Sequence, residues 1–325
     1  MKSLQLGDRG PQVSALQRSL RQLGYPVGVD GHFGRKTLAA VQAYAADRTK
    51  KGAPAWEIMA IHDEATNLQT AQSIKTVGAW CGPRALKKPR DTVNFAASKG
   101  INRIDIVIND HSKWRTDKPF DIFDRKKIVA LANAAAAKNI EVHLMSWVMP
   151  FESYIEGAAE ILIPLCKDTG AASLMWDAEE PWNQARNAMT HRAAATLIGQ
   201  KFASLSCPMG ITGIGFAPVA KLGPLAALCE YAVPQVYVTS GSGLKPETAP
   251  RRFYDRWAKS FKKPIVMGLA AYKQSGVPGH PSIESAMGAT IEATRGLDVD
   301  TVVYWSMRWI RDTSAVAEVI SGIRG

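Results

Sequence analysis

From residue 74 onward, short apolar runs alternate with stretches whose apolar positions recur every three or four residues. The runs at 76–80 (TVGAW), 103–109 (RIDIVIN), 141–147 (EVHLMSW) and 173–177 (SLMWD) read as buried strands. Those at 211–216 (ITGIGF), 232–238 (AVPQVYV), 265–270 (IVMGLA) and 301–306 (TVVYWS) read the same way. Between them lie helix-like segments at 89–99, 121–138, 151–168, 187–205, 217–229, 249–262, 282–295 and 312–323. Eight strands alternating with eight helices over about 250 residues predict an α/β fold of the closed (β/α)8 barrel kind. An open doubly wound sheet would need the same alternation, but no G-x-G-x-x-G follows the first run.

The first fifty residues carry a different rhythm. Val13, Leu16, Leu20 and Leu23 share one helix face, with Pro11 placed for the first turn and Gly24 for the stop. Leu38, Val41 and Tyr44 mark a second helix over 37–44, and Val29 to Gly34 form a turn between the two. Asp47 to Pro54 (DRTKKGAP) is charged and ends in Gly and Pro, a natural boundary. The chain therefore divides into a small all-α domain over 1–50, a linker or lead-in over 51–73, and a barrel over 74–325.

Charge follows this division. Of 40 Lys/Arg and 29 Asp/Glu, the first 52 residues hold nine and three, so more than half of the net +11 sits on a sixth of the chain. A small basic module points to an anionic partner: nucleic acid, an acidic membrane surface or a wall polymer. A hydrophobic content of 46% with 21% charged residues excludes a disordered chain and a disulfide miniprotein. The cysteines, Cys81, Cys166, Cys207 and Cys229, show no C-x-x-C spacing and read as thiols of a reducing compartment. The N-terminal segment lacks the apolar core of a signal peptide, and no run approaches the roughly 18 to 20 apolar residues of a membrane span.

The small domain has a specific likeness. Leu6-Gly7-Asp8-x-Gly10-x-x-Val13-x-x-Leu16-Gln17-x-x-Leu20-x-x-Leu23-Gly24-Tyr25 is followed by Asp30-Gly31-x-Phe33-Gly34-x-x-Thr37-x-x-x-Val41-Gln42. These residues resemble the peptidoglycan-binding domain type 1 family, with Tyr44-Ala45 departing from the usual Phe-Gln. The resemblance implies a three-helix wall-binding module, with ligand contacts expected in the turn at Asp30 and Phe33. It also turns the choice of anionic partner toward bacterial peptidoglycan rather than nucleic acid or membrane.

In a (β/α)8 barrel the active site lies at the C-terminal ends of the strands. Those ends carry Trp80, Asp110, Trp147, Asp177, Glu179, Glu180, Gln235, Tyr237, Tyr272 and Trp305. Acids at a few places and aromatics at most others suit a carbohydrate, since aromatic faces stack on sugar rings and carboxylates handle the glycosidic oxygen. In Trp176-Asp177-Ala178-Glu179-Glu180-Pro181-Trp182, strand alternation sends Asp177 and Glu179 to one side, about 6 to 7 Å apart along the chain. Repulsion at that spacing raises the proton affinity of one carboxyl, which makes a general acid beside an ionised partner. Glu179 is the expected acid and Glu180 its reserve. Asp177 is expected to stabilise the oxocarbenium-like state or orient a 2-acetamido group, and Asp110 reads either as a second carboxylate or as a turn residue. Tyr237 is a candidate hydrogen-bond donor to the acetamido carbonyl or the acid. Trp80, Trp147, Trp182, Gln235, Tyr272 and Trp305 are candidate sugar contacts.

The D-x-E after an apolar strand resembles family 25 lysozymes, in which both acids act. It is also similar to family 18 chitinases and glucosaminidases, in which the Glu is the acid and the Asp orients the acetamido group. The longer family 18 motif is absent, because Ala171 to Met175 contain no acid. Together the likenesses imply a modular endolysin of the phage type: a monomeric muramidase that needs no cofactor. It would accumulate in the host cytoplasm until the membrane is permeabilised and then reach the wall. An N-acetylglucosaminidase using substrate assistance, a zinc or other wall amidase, and a silent wall-binding protein are the alternatives. The six histidines (His32, His62, His111, His143, His191, His280) form no H-E-x-x-H, so no metal site is expected. No local signature supports Cys81 as a peptidase nucleophile, and no G-x-S-x-G elbow occurs.

Overall fold

The computed structural model describes residues 4, 7–50, 74–109, 120–184 and 188–324, which fall in two compact units, Met1–Ser73 and Ile74–Gly325.

In the first unit, α1 (Pro11–Gln22) and α2 (Arg35–Lys50) bury Val13, Leu16, Leu20, Phe33, Val41 and Tyr44. The expected faces are present, and α2 starts two residues earlier and ends six residues later than its apolar spacing suggests. A third helix is not among the described residues. The segment before α1 clamps the turn before α2: Gly7 N donates to Phe33 O (2.9 Å), Phe33 N to Asp8 O (2.8 Å) and Gly10 N to Gly31 O (2.9 Å). Gln17, fully buried on α1, ties this turn down from inside. Its Oε1 accepts from the Asp30 and Gly31 amides (3.1 and 2.9 Å), and its Nε2 donates to Asp30 Oδ1 (2.7 Å) and Thr37 Oγ1 (2.9 Å).

In the second unit, eight parallel strands close in chain order: β1 (Thr76–Cys81), β2 (Arg103–Val107), β3 (Glu141–Trp147), β4 (Ser173–Asp177), β5 (Met209–Ile214), β6 (Tyr231–Val236), β7 (Met267–Ala270) and β8 (Thr301–Trp305). The fold is a (β/α)8 barrel. Around it lie α3 (Pro89–Ser98), α4 (Arg125–Ala136), α5 (Glu152–Thr169), α6 (Glu180–Gln184), α7 (His191–Lys201), α8 (Val219–Ala226), α9 (Ala249–Phe261), α10 (Ile283–Arg295), α11 (Met307–Asp312) and α12 (Ser314–Ser321). Three departures from the expected helices have local causes. The helix expected from 121 begins at Arg125, because Asp124 caps it by accepting from Lys127 N (3.3 Å). The helix expected over 187–205 is the shorter α7, which starts at His191 because Thr190 Oγ1 caps it by accepting from Ala193 N (3.2 Å), and the short α6 precedes it. Helix α11 precedes the expected last helix and turns back immediately after β8.

Alternation along each strand sends every second side chain into the barrel, where they stack in layers. At the N-terminal end, Arg103 grips Asp105 through two hydrogen bonds (2.9 and 2.7 Å), both side chains buried. The Arg103 guanidinium lies 5.7 Å from the Tyr231 ring centroid, and the Tyr231 hydroxyl hydrogen-bonds Ser173 Oγ at 2.6 Å. Above them Trp80, Val107, Met145, Met175, Val233 and Val303 form an apolar plug. Two glycines make room for the large members. A Cβ at Gly210 would overlap the Tyr231 ring, and one at Gly268 would lie 2.9 Å from Trp80 Cη2. The plug closes the barrel from below and leaves its C-terminal mouth as the open face.

Removing one partner of a buried ion pair strands the other charge in low dielectric. Asp105→Ala is therefore expected to lower the unfolding free energy by about 3–5 kcal/mol, read by urea titration.

Candidate active site

The layer above the plug is polar. Asp177 ends β4 with its side chain buried (3% exposed), and Gln235 of β6 donates from Nε2 to Asp177 Oδ1 at 3.1 Å. The same amide reaches Thr212 Oγ1 of β5 (3.3 Å), whose hydroxyl is committed to Val233 O (2.9 Å). Burial, and then the neighbouring Glu179 charge, push the Asp177 carboxyl well above its ordinary range, with the Gln235 hydrogen bond opposing in part. Asp177 therefore holds a proton more tightly than an ordinary carboxyl does. Glu179, two residues on, is half-buried on the wall of the mouth. The two carboxyls differ in depth, Asp177 being the more buried.

Asp177 and Glu179 line a cleft of about 760 Å³ with Trp147, Gln235, Tyr237 and Trp305. Burial followed by the charges of Glu179 and Asp177 raises the Tyr237 hydroxyl well above its usual value, so it stays a neutral donor. Tyr272 packs edge-on against Tyr237 (centroids 5.8 Å apart) and is itself shifted upward, by burial first and Glu179 second. Trp147 is aimed by a small network: its amide donates to Asn109 Oδ1 (2.8 Å) and its carbonyl accepts from the Tyr154 hydroxyl (3.0 Å). Asn109 Nδ2 donates in turn to that hydroxyl (2.9 Å). Trp305, joined to Ser306 by a cis peptide bond, packs against Trp80 with ring centroids 5.8 Å apart and planes tilted by 56°.

Several sequence candidates take other places. Trp80 is fully buried in the plug and supports Trp305 from beneath instead of meeting the cleft. Trp182 is fully buried too, its Nε1 donating to Lys221 O (3.0 Å) and its ring 5.4 Å from His191. Both are core because a tryptophan near a strand end has an apolar layer to fill as readily as a ligand to meet. Glu180 is exposed in α6 and does not line the cleft. Asp110 lies outside the described residues. In the first unit Phe33 is core, and Asp30 is a turn former: its Oδ1 takes the His32 amide (2.9 Å) and the Gln17 amide group. Sequence reasoning missed Asn109, Thr212 and the arginines Arg84, Arg308 and Arg311 that line the cleft from the β1 and β8 sides. The arginines lie in loops and a short helix, where no periodicity flags them.

Residues 11–57 match a family described as "Predicted Peptidoglycan domain". No curated protein matches the sequence. The barrel is similar to solved structures at low identity. The xylanase–α-amylase inhibitor protein XAIP-I, in complex with trehalose, aligns with TM-score 0.56 and 11% identity over 75% of this chain and 97% of its own. An endo-β-1,4-mannanase from Thermotoga petrophila gives 0.54 and 10% over 79% and 77%. A GH18 chitinase from Pseudoalteromonas aurantia gives 0.51 and 10% over 74% and 100%. The chain thus couples an N-terminal peptidoglycan domain to a barrel whose fold is shared by glycoside hydrolases and by an inhibitor protein. The fold alone does not separate these, so the chemistry has to be read from the cleft.

A carboxyl whose proton affinity rises on folding stabilises the fold below its ordinary range, and that contribution is lost as pH climbs through the raised value. Asp177→Asn, which mimics the neutral acid, should therefore melt higher than the wild type. Scanning calorimetry between pH 4 and 8 should show the gap widening as pH rises. A constant gap would mean Asp177 is ionised in the fold.

Proposed function

We propose that the barrel hydrolyses β-1,4 bonds of peptidoglycan glycan strands by carboxylate general acid catalysis, as the muramidase of an endolysin. The observation that carries this reading is the Asp177–Glu179 pair, one carboxyl buried with a raised proton affinity and the other half-buried in the lining of an aromatic-walled cleft. The match of residues 11–57 to a peptidoglycan domain supports the wall as substrate. In this reading Glu179 gives its proton to the leaving glycosidic oxygen as the bond to the anomeric carbon breaks. Water then adds to that carbon and returns a proton to Glu179, so the net change is one water consumed. Trp147 and Trp305 supply stacking surface for the sugar rings.

The burial of Asp177 favours one version of the other half of the mechanism. A neutral carboxyl is a poor nucleophile but a good hydrogen-bond partner. Asp177 and the neutral Tyr237 are thereby suited to hold the 2-acetamido group of the substrate, whose carbonyl oxygen attacks the anomeric carbon in their place. This chemistry serves an N-acetylglucosaminidase equally well, and that remains the second reading of bond specificity.

Glu179→Gln should reduce wall lysis by about 10²- to 10⁴-fold, the usual contribution of a positioned acid, with an unchanged melting temperature. Mass spectrometry of the wild-type digest should show N-acetylmuramic acid at the new reducing ends. Ends carrying N-acetylglucosamine would shift the assignment to a glucosaminidase, and wild-type lysis by the variant would remove Glu179 from the mechanism.

A further inference from the structure

The cleft is electrically divided. Strands β8 and β1 are neighbours in the closed barrel, and β4 lies three strands from β1 and four from β8. The wall bearing Asp177 and Glu179 is therefore across the mouth from the wall that follows β8 and β1. That second wall is cationic: Arg84 comes from the loop after β1, and Arg308 and Arg311 come from α11. All three are exposed. Arg308 spans Asp312 at 3.5 Å and lies 4.9 Å over the Trp309 ring, and Arg311 lies 5.6 Å from the Phe95 ring. Among the described residues neither Arg84 nor Arg311 has a carboxylate within ion-pair distance. Exposed pairs such as Arg308–Asp312 add little to stability. The fold has small use for this cluster, and a neutral sugar chain would have none.

We propose that this wall is a carboxylate subsite, where Arg84 and Arg311, with Arg308 held over Trp309, receive an acidic substituent of the glycan a sugar or more away from the bond that is cut. The guanidinium fork matches a carboxylate in a bidentate way and keeps its charge at every working pH. Its position also solves an electrostatic problem. An anionic chain meets no cation among the described residues of the Asp177–Glu179 wall, and the far wall supplies them while fixing which way the chain lies. The inference rests on the glycosidase reading, and it narrows the substrate to an acidic N-acetylated glycan. In a wall polymer, the carboxylate can come from a lactyl ether on the sugar or from the attached peptide.

The test uses the full chain and three substrates: peptide-bearing glycan strands, strands stripped of peptide so that the lactyl carboxylates are free, and stripped strands whose carboxylates have been converted to methylamides. The wild type should show kcat/KM about tenfold higher on a charged strand than on the neutral one, the size of one charge-assisted contact, with the difference in KM. Whichever charged strand is preferred identifies the source of the carboxylate. In Arg84→Gln/Arg311→Gln the preference should fall to below about threefold, in parallel with a loss of salt sensitivity. Equal rates on charged and neutral strands in the wild type, or an undiminished preference in the double variant, would overturn the proposal. Calorimetric binding of the same strands to Glu179→Gln, with and without the arginine changes, separates the two readings. If no strand is cut, the glycosidase reading falls, and the subsite then stands or falls on whether charged strands bind more tightly only when the arginines are present. The small unit is identical in all these proteins and cancels in the comparison.

Discussion

A strand covered on both faces is an expensive place for a carboxylate, and Asp177 stands at the end of one. The closed ladder of eight parallel strands withdraws its carboxyl from water, and a single amide, Gln235 Nε2, is the compensating donor. One hydrogen bond does not replace a hydration shell, so the proton affinity of the group rises. Much else about the mouth follows from that constraint. Thr212 must commit its hydroxyl to Val233 O, which leaves it as an acceptor for Gln235. Tyr237, close to two acids and out of water, cannot ionise. Glu179, half-exposed, is left as the carboxyl that can meet a ligand.

The layers beneath supply the rigidity this arrangement needs. Arg103 and Asp105 neutralise each other at the bottom, so the barrel interior carries no uncompensated charge there. The apolar plug then separates this pair from the acids above and keeps the two electrostatic systems apart. Trp80 is central to it. Seated over Gly268, it fills the space between the layers and carries Trp305 on its face, so one core side chain sets the height of one cleft side chain.

The barrel was legible because its signal is redundant. Eight apolar runs each fill a strand buried on both faces, and losing a residue or two at the ends, as in the run at 265–270, does not change their number or order. Boundaries were less legible wherever a capping side chain, such as Asp124 or Thr190, decided them. The acidic pair was legible through period-two alternation, which depends only on the strand. The rise in the proton affinity of Asp177 was not, because that depends on depth, and depth comes from neighbouring strands. The tryptophans failed for a related reason: Trp80 and Trp305 are alike in sequence, yet one is in the plug and the other above it. Gln17 shows the same limit in the small unit, where a polar residue inside a leucine pattern proves to organise the turn at Asp30 from within.

Charge is where composition misled most. The 273 residues after position 52 hold 31 basic and 26 acidic side chains, a near balance that suggests an electrostatically quiet domain. The fold makes the balance local and uneven. The acids of β4 lie three strands from β1 and four from β8, so they face the arginines that follow those strands across one opening. Low-dielectric walls lengthen the reach of both groups, so a ligand in that opening experiences a directed field although the domain's net charge is small. A neutral sugar ring responds to such a field only through its dipoles, while a ring bearing a carboxylate gains at one wall and loses at the other. In the subsite proposed above, this field orients the chain along the cleft and leaves the aromatic side chains to provide surface.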